Sequence, residues 1–468
     1  MSTPDSEIVI GLVCPVGIDH RAVYNKLQLT LEQFRYRAND VRISDHFPAL
    51  FQQLGQTWGP PASQSDQATY KIEAGNKIRQ WTGRNDALAL AAANHISARR
   101  AGRHSLPRTA HIITSCKRPE EVATLREIYG SGFFLIALSA SRQQREQYFA
   151  DRGMKGAAEG LIAKDTAESG PWGQQTRETF HLADVFVSMD HFKPQLDRFL
   201  DLIFGCPTLT PTPYEHAMFT AYAASLRSGD LSRQVGAAIV DEHGDLLAVG
   251  CNEAPRPFGG LYGPEPNSHR DIEAGHDSNE HAKDEMIQSV LEALGRTDLS
   301  RAEARQLLKP TGLTDITEFG RAVHAEMEAL LACARTSRSP RGATLFSTTF
   351  PCHNCCRHII AAGIRKVVYI EPYPKSRAPN LHGDAISIDE EDQTRVPFQP
   401  FLGVGPRRYF DLFSLKLSSG QQLSRKLDGK LKPWTRESAQ PRLSMRPDSY
   451  LDRELARPSY SGELPGSP

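Results

Sequence analysis

Two stretches in which apolar strand patterns alternate with amphipathic helix patterns are parted by the heptapeptide Pro-Thr-Leu-Thr-Pro-Thr-Pro at 207–213, and this division constrains the chain most. Prolines at 207, 211 and 213 remove backbone donors and hold the chain extended, so the segment reads as a linker between two separately folded units. Upstream, Ile8 to Val13 is an unbroken apolar run that ends in Cys14-Pro15-Val16-Gly17 and gives way to a helical pattern from Arg21. Such runs mark strands buried on both faces. Strand patterns recur at His111 to Thr114 and Phe133 to Leu138, with helical patterns at Asp86 to Arg100 and Pro119 to Tyr129. The unit closes with Ala183 to Val187 and a helix over Lys193 to Phe204. Alternation of this kind predicts a mostly parallel sheet with helices on both faces.

Beyond the linker the pattern predicts a helix at Tyr214 to Arg227 and a strand pair, Gly236 to Val240 and Leu246 to Gly250, turned by Asp241-Glu242-His243-Gly244. A long insertion follows at 256–320, with helices at Asp277 to Leu294 and, behind the capping-box pair Ser300 and Glu303, at Ser300 to Leu308. A helix at Ala322 to Ala334, a strand at Thr344 to Thr348, a helix at Cys352 to Ala362 stopped by Gly363 and a strand at Lys366 to Ile370 complete the unit. A further strand is expected at Arg408 to Phe413. From Ser418 to Pro468 the chain is polar, rich in Ser, Pro, Arg and Lys and aperiodic, which predicts a mostly disordered tail.

Lys+Arg 55 against Asp+Glu 55 gives no net charge, so no global positive field holds a polyphosphate chain, and an anionic ligand must be met by a local cluster. No apolar stretch approaches the roughly 18–20 residues that span a bilayer, and the first residues carry no basic leader pattern, so a cytoplasmic protein without a membrane partner is expected. The eight cysteines are too sparse for a disulfide framework, yet Cys352, Cys355 and Cys356 fall within five positions. In a reducing compartment that crowding points to a metal.

The chemistry is concentrated in His324-Ala325-Glu326 and Pro351-Cys352-His353-Asn354-Cys355. One imidazole and two thiolates suit tetrahedral Zn2+, and three protein ligands leave a fourth position open, the hallmark of a catalytic site. The cysteines open a helix, where free backbone N–H groups and the helix dipole favour negative sulfur. Glu326, two residues past His324, is placed to accept a proton and return it. Cys356 points about 100° around the helix from Cys355 and is expected in the packing, as a closed four-ligand site with Cys356, His353 or His358 is not.

H-x-E followed by P-C-x-x-C is the pattern of the zinc nucleobase deaminases. Across roughly residues 214–375, outside the insertion, the chain resembles the cytidine deaminase superfamily and its deoxycytidylate deaminase branch. The stretches that carry the likeness are Ser232 to Ala237, Gly250-Cys251-Asn252-Glu253-Ala254-Pro255, the His324 motif, and Ile359 to Ile364 leading to Val367-Val368-Tyr369. The resemblance implies that Asn252 hydrogen-bonds the nucleoside. With its N-terminal half, the whole layout resembles bacterial anti-phage dCTP deaminases, which implies hydrolytic deamination of dCTP, and also dCMP, to drain the pool an infecting phage needs. It implies an α/β fold: an N-terminal P-loop-kinase-like domain at 1–206 with a mostly parallel sheet, the linker 207–213, and a cytidine-deaminase-like α/β/α domain at 214–417, ahead of the tail 418–468. A homo-oligomer is also implied.

The N-terminal half departs from the phosphate-binding pattern G-x-x-x-x-G-K-[ST]. Its counterpart runs Cys14-Pro15-Val16-Gly17-Ile18-Asp19-His20-Arg21, with Asp19, His20 and Arg21 where Gly, Lys and Ser/Thr belong. A carboxylate in such a cradle repels phosphate, so a degenerate domain that senses or scaffolds is expected, one on which a regulatory RNA, nucleotide or protein acts, with His20 and Arg21 as its candidate contacts. On the substrate side Arg233 and Lys375 are the candidates to meet a small nucleotide's phosphates, with Arg256, Arg270 and Arg377 also available. Asn267 to Asp277 could bind a second metal, read a nucleotide or be an irregular polar loop. Two other readings stay open: a DNA- or RNA-editing cytidine deaminase, since cytosine C4 is presented alike by free and polymeric substrates, and a sensing platform whose zinc domain has no catalytic role.

Overall fold

The computed structural model describes residues 6–59, 67–100, 104–166, 168, 170–296, 298–313, 316, 318–388, 394–445 and 447–456. The chain divides into two compact units, Met1–Thr212 with Leu402–Pro468, and Pro213–Phe401.

In the first unit strands β1 (Ile8–Val13), β2 (Arg37–Arg42), β3 (Thr109–Thr114), β4 (Phe133–Ser139) and β5 (Val185–Ser188) lie parallel in the order 5-4-1-3-2. Every residue of the central β1 is buried, as its unbroken apolar run requires. Helix α1 (His20–Gln33) follows β1 and buries Val23, Leu27, Thr30 and Leu31, the spacing of one helical face. The mostly parallel sheet expected from the alternation is present, with β2 as an edge strand that the polar sequence Arg-Ala-Asn-Asp-Val-Arg concealed.

The expected tail differs. After Phe401 the chain returns to the first unit: Gly403–Val404 adds an antiparallel strand to β5, and Val404, Leu412, Phe413, Ala439 and Leu443 join the core that holds β1 and α1. The second unit therefore ends at 401 and not at 417. The disorder expected for 418–468 does not hold over 418–445, because isolated anchors replace periodic burial. Arg442, 1% exposed, donates to the carbonyls of Leu412, Ser414 and Gln421, and the Trp434 indole donates to Phe204 O at 3.1 Å. Further along, Arg100 pairs with both Glu7 and Glu454, and Tyr129 donates to Glu454 at 2.7 Å. The strand expected at 408–413 is a short helix, Tyr409–Phe413, since Tyr409, Leu412 and Phe413 meet the core at helical spacing. Leu443 is fully buried, so Leu443→Ala is expected to cost about 2–5 kcal/mol of stability, read as a lower denaturation midpoint of the full chain. A disordered tail would leave the midpoint unchanged.

In the second unit β6 (Gly236–Val240), β7 (Leu246–Cys251), β8 (Thr344–Thr349), β9 (Lys366–Glu371), β10 (Ile386–Ile388) and β11 (Val396–Pro400) form a sheet in the order 10-11-9-8-6-7. It is parallel from β10 to β8, with β6 antiparallel to β8 and β7. Its longer helices are α2 (Pro213–Ser225), α3 (Ser278–Ala293), α4 (Arg301–Leu308), α5 (Ala325–Arg335) and α6 (His353–Ala361). Helices α3 and α4 lie in the insertion and share a small core of Ile287, Leu291 and Ala304. The Ser300–Glu303 capping box is formed as the sequence implied. Among the described residues no helix is long and apolar enough to cross a membrane.

Candidate metal centre and the site around it

Two helix N-termini build the site. His324 is the N-cap of α5 and Cys352 the N-cap of α6, so both ligand candidates stand where backbone N–H groups are left without intrahelical partners. The Cys355 N–H donates to Cys352 Sγ at 3.5 Å. His324 Nδ1 lies 3.3 Å from Cys352 Sγ and 3.4 Å from Cys355 Sγ, and the three ligand atoms fall within 4.8 Å of one another. Among the described residues this is the one group of metal-binding side chains.

The donor set fits zinc. Cys355 donates a hydrogen bond to the Cys352 sulfur and the His324 cation lies beside it, so the Cys352 thiol is pulled down to about 4 despite burial. The resulting thiolate pushes its neighbour Cys355 up and, with its hydrogen bond to His324, raises the imidazole to about 9. A divalent cation bound here takes the place of the protons on Cys355 and His324. Cys356 is fully buried and burial pushes its thiol up to about 12, so it packs in the core, as its direction on the helix implied. His358 is exposed, and His353 Nε2 faces Glu318 of the insertion at 3.5 Å.

Glu326 sits in the first turn of α5, 4% exposed, and accepts a hydrogen bond from Ser347 Oγ at 3.3 Å. Burial, with the Cys352 charge second, holds its carboxyl above the usual range. A carboxylate that takes and returns a proton readily beside a cluster of three metal ligands is the arrangement needed for general acid–base work. Ser347 carries no signal in the sequence, since it is one of four hydroxyl residues in the six of β8, Thr-Leu-Phe-Ser-Thr-Thr.

Helix α5 reaches this position because β7 presents glycine beneath it. A Cβ on Gly250 would lie 2.1 Å from Ala325 O and 2.6 Å from Ala329 N, both backbone atoms of or beside the ligand-bearing turn. Gly250→Ala is therefore expected to push α5 away from the sheet, lowering zinc per chain and the melting temperature together. Wild-type zinc content in that variant would show that the close approach is not needed.

The sheet register brings the remaining candidates to the same edge. Gly236 at the start of β6 pairs with Cys251 at the end of β7, the Gly236 N–H donates to Thr348 Oγ1 at 3.0 Å, and Thr349 pairs with Glu371 at the end of β9. Asn252 follows β7, 6% exposed, and both ends of its amide are used by the loop before β6: Oδ1 accepts from Val235 N at 2.7 Å and Nδ2 donates to Arg233 O at 2.9 Å. Asn252 thus shapes the loop that carries Arg233. The Arg233 guanidinium lies 3.3 Å from Glu371 and 5.5 Å above the Tyr373 ring, half-exposed at the rim. Lys375, four residues past β9, is exposed. Arg270 is engaged by Glu273, and Asp277 caps α3 while receiving Ser232 Oγ at 3.0 Å. The polar run Asn267 to Asp277 therefore spends much of its hydrogen bonding on local structure.

In the first unit carboxylates engage one amide of the loop after β1 and two at the start of α1. Val16 N donates to Asp165 Oδ2 at 2.9 Å, and Asp19 accepts from Arg21 N and Ala22 N at the start of α1. Asp165 also receives Lys117 at 2.6 Å and Thr176 at 3.1 Å. Gly17 adopts φ +84°, and a Cβ there would meet Arg145 Cβ at 2.9 Å. Cys14 is buried, its thiol pushed up to about 12 by burial; His20 is half-buried and Arg21 exposed. Two carboxylates therefore occupy three of the backbone donors, Val16, Arg21 and Ala22 N–H, between β1 and the first turn of α1. On the helix Arg142–Ala150, Arg145 donates to Val16 O at 2.7 Å, whereas Arg142 pairs at the surface with Glu146 and Glu159.

The family description "Cytidine and deoxycytidylate deaminase zinc-binding region" matches residues 211–371. The chain is 31% identical over 169 residues to the deoxycytidylate deaminase of Enterobacteria phage T4, a match that covers 34% of this chain and 77% of that protein. It is 26% identical over 179 residues to the probable deoxycytidylate deaminase of Drosophila melanogaster, covering 37% of this chain and 69% of that protein. Among solved structures, the dCMP deaminase of cyanophage S-TIM5 in complex with dCMP and dUMP matches at 22% identity and TM-score 0.24 over 41% of this chain and 98% of that one, a likeness too low to carry weight by itself.

Proposed function

The chain belongs to the deoxycytidylate deaminase family, and from that premise we propose that it is a zinc-dependent hydrolase that converts deoxycytidine nucleotides, dCTP and also dCMP, to the uracil nucleotides with release of ammonia. The observation that carries this reading is the Glu326 carboxylate, buried beside His324, Cys352 and Cys355. His324 Nδ1 and the two sulfurs are the atoms to hold zinc. Zinc supplies Lewis acidity that makes water a nucleophile near neutral pH. Glu326 takes a proton from the attacking water at its carboxylate, delivers it to ring nitrogen N3, and later carries a second proton to the amino group at C4, which leaves as ammonia. Ser347 Oγ fixes the carboxylate for both transfers.

Asn252 holds the Arg233 loop at this edge of the sheet, and Arg233 and Lys375 meet the phosphates. The Glu371 contact of Arg233 is half-exposed, so a phosphate group competes for it at small cost. Draining the dCTP pool in defence against phage is supported by the layout, an α/β unit joined to a deaminase unit, that resembles the anti-phage enzymes. A regulatory RNA, nucleotide or protein acting on the first unit, and a homo-oligomer, belong to the same proposal.

Ammonia release by the zinc-loaded full chain over cytidine, dCMP, dCTP, CTP and single-stranded DNA tests it. Release from dCTP above the others is expected. Release from the single strand alone would assign the protein to nucleic-acid editing.

A further inference from the structure

The turn that leads into Cys352 leaves the sheet beside the turn that carries Lys375. β8 and β9 stay paired to their ends, where Thr349 stands opposite Glu371 and the Phe350 N–H donates to Glu371 O at 2.7 Å. From β8 the chain passes through Pro351 into Cys352. From β9 it enters the turn Tyr373-Pro374-Lys375-Ser376, closed by Ser376 N donating to Tyr373 O at 3.0 Å. One side chain joins the two. Ser376 Oγ donates to Pro351 O at 2.9 Å and accepts from Ala378 N at 3.3 Å. A hydroxyl has a single proton to give, and this one is committed to the carbonyl that precedes Cys352. Because Cys352 is the N-cap of α6, a shift of the Pro351 peptide carries the Cys352 sulfur with it.

The same turn gathers both cations assigned above to the substrate's phosphates. Lys375 lies within it, and the Arg233 guanidinium stands 5.5 Å above the Tyr373 ring. Pro374 and Lys375 are exposed, so the tip of the turn is held by these few contacts and not by a core. A phosphate that engages the two cations therefore steadies the turn, and with it the Ser376 hydroxyl.

Resting on the function proposed above, we infer that Ser376 is a positioning residue: it passes the grip of Lys375 and Arg233 on the substrate's phosphates to the Cys352 turn, so that phosphate raises kcat as well as lowering KM. Binding energy from a part of the substrate that does not react is then used to hold the site in its reacting geometry. Deoxycytidine, which lacks that part, meets the same residues with the Cys352 turn less firmly held.

Two measurements on the full-length, zinc-loaded protein test this: steady-state ammonia release from deoxycytidine, dCMP and dCTP, and the rate at which EDTA removes zinc in the presence of each. In the wild type kcat is expected to rise from the nucleoside to the nucleotides, and the nucleotides alone should slow zinc removal. Ser376→Ala should lower the ratio of nucleotide to nucleoside kcat about fivefold, equivalent to one hydrogen bond of about 1 kcal/mol, with a smaller change in nucleotide KM and with the slowing of zinc removal lost. Ser376→Thr keeps the hydroxyl and should restore both. A folded Ser376→Ala chain that keeps the wild-type kcat ratio and the wild-type response to EDTA would overturn the inference. An equal loss in Ser376→Thr would do so too, since the position would then matter only for packing. Should the wild type release ammonia from none of the three, the proposed function fails, and the rates of zinc removal still decide whether phosphate is felt at the Cys352 turn through Ser376.

Discussion

Glu326→Gln is expected to lower ammonia release from the best substrate by about 10²–10⁴-fold, the usual worth of a positioned acid–base group, while zinc per chain and melting temperature stay near the wild-type values. The substitution keeps the side chain's shape and an oxygen that accepts from Ser347 Oγ, so the first turn of α5 loses little packing. It removes the ability to accept a proton, which both halves of the reaction need. Ser347→Ala separates positioning from proton transfer. That variant keeps the carboxylate but frees its orientation, and is expected to lose less than Glu326→Gln. Ammonia release measured beside zinc content decides the point: a glutamine variant that turns over at the wild-type rate takes Glu326 out of the proton path.

The cluster of His324, Cys352 and Cys355 was legible as a candidate metal centre because zinc chemistry fixes residue type and spacing locally, with His324 and Glu326 at the start of one helix and Cys352 and Cys355 at the start of another. The central strands were legible for a similar reason, since β1 and β4 are buried on both faces and admit apolar residues almost throughout. Two strands escaped periodicity for different reasons, β2 at a sheet edge and β11 inside a sheet. β2 is polar, and β11 contains Pro397 and Pro400, which read as breakers although β11 pairs on both sides over only three residues each. The contacts that shape the β1 loop and the loop before β6 escaped for a different reason, although Asn252 itself was a candidate. Asp165 meets the β1 loop across 149 positions and Asn252 meets Val235 across 17, and side-chain to backbone bonds of that kind leave no period in a sequence. The return of residues 402–445 to the first unit has the same origin: single anchors such as Leu443 and Trp434, each set in polar sequence.

Cys355→Ser is expected to bring zinc from one equivalent to well below half an equivalent per chain and to abolish activity with it. A serine hydroxyl does not ionise near neutral pH and is a hard donor, so the site is left with one sulfur and one imidazole. The loss reaches stability through mass action. Zinc at about 1,000 times its Kd contributes about 4.1 kcal/mol to the folded state, so the wild type should melt lower after chelation and recover on adding zinc, whereas Cys355→Ser should respond to neither. The adjacent thiol supplies the control. Cys356 is buried in the core with its thiol pushed up to about 12, so Cys356→Ser costs packing and hydrogen-bonding energy and lowers the melting temperature, yet retains zinc and its response to chelation. Opposite outcomes at two neighbouring positions of one helix distinguish a ligand from a core residue, which a fall in melting temperature alone does not. Should both variants keep a full equivalent of zinc, Cys355 is not a ligand and the cluster of His324 with the two cysteines does not form the metal centre.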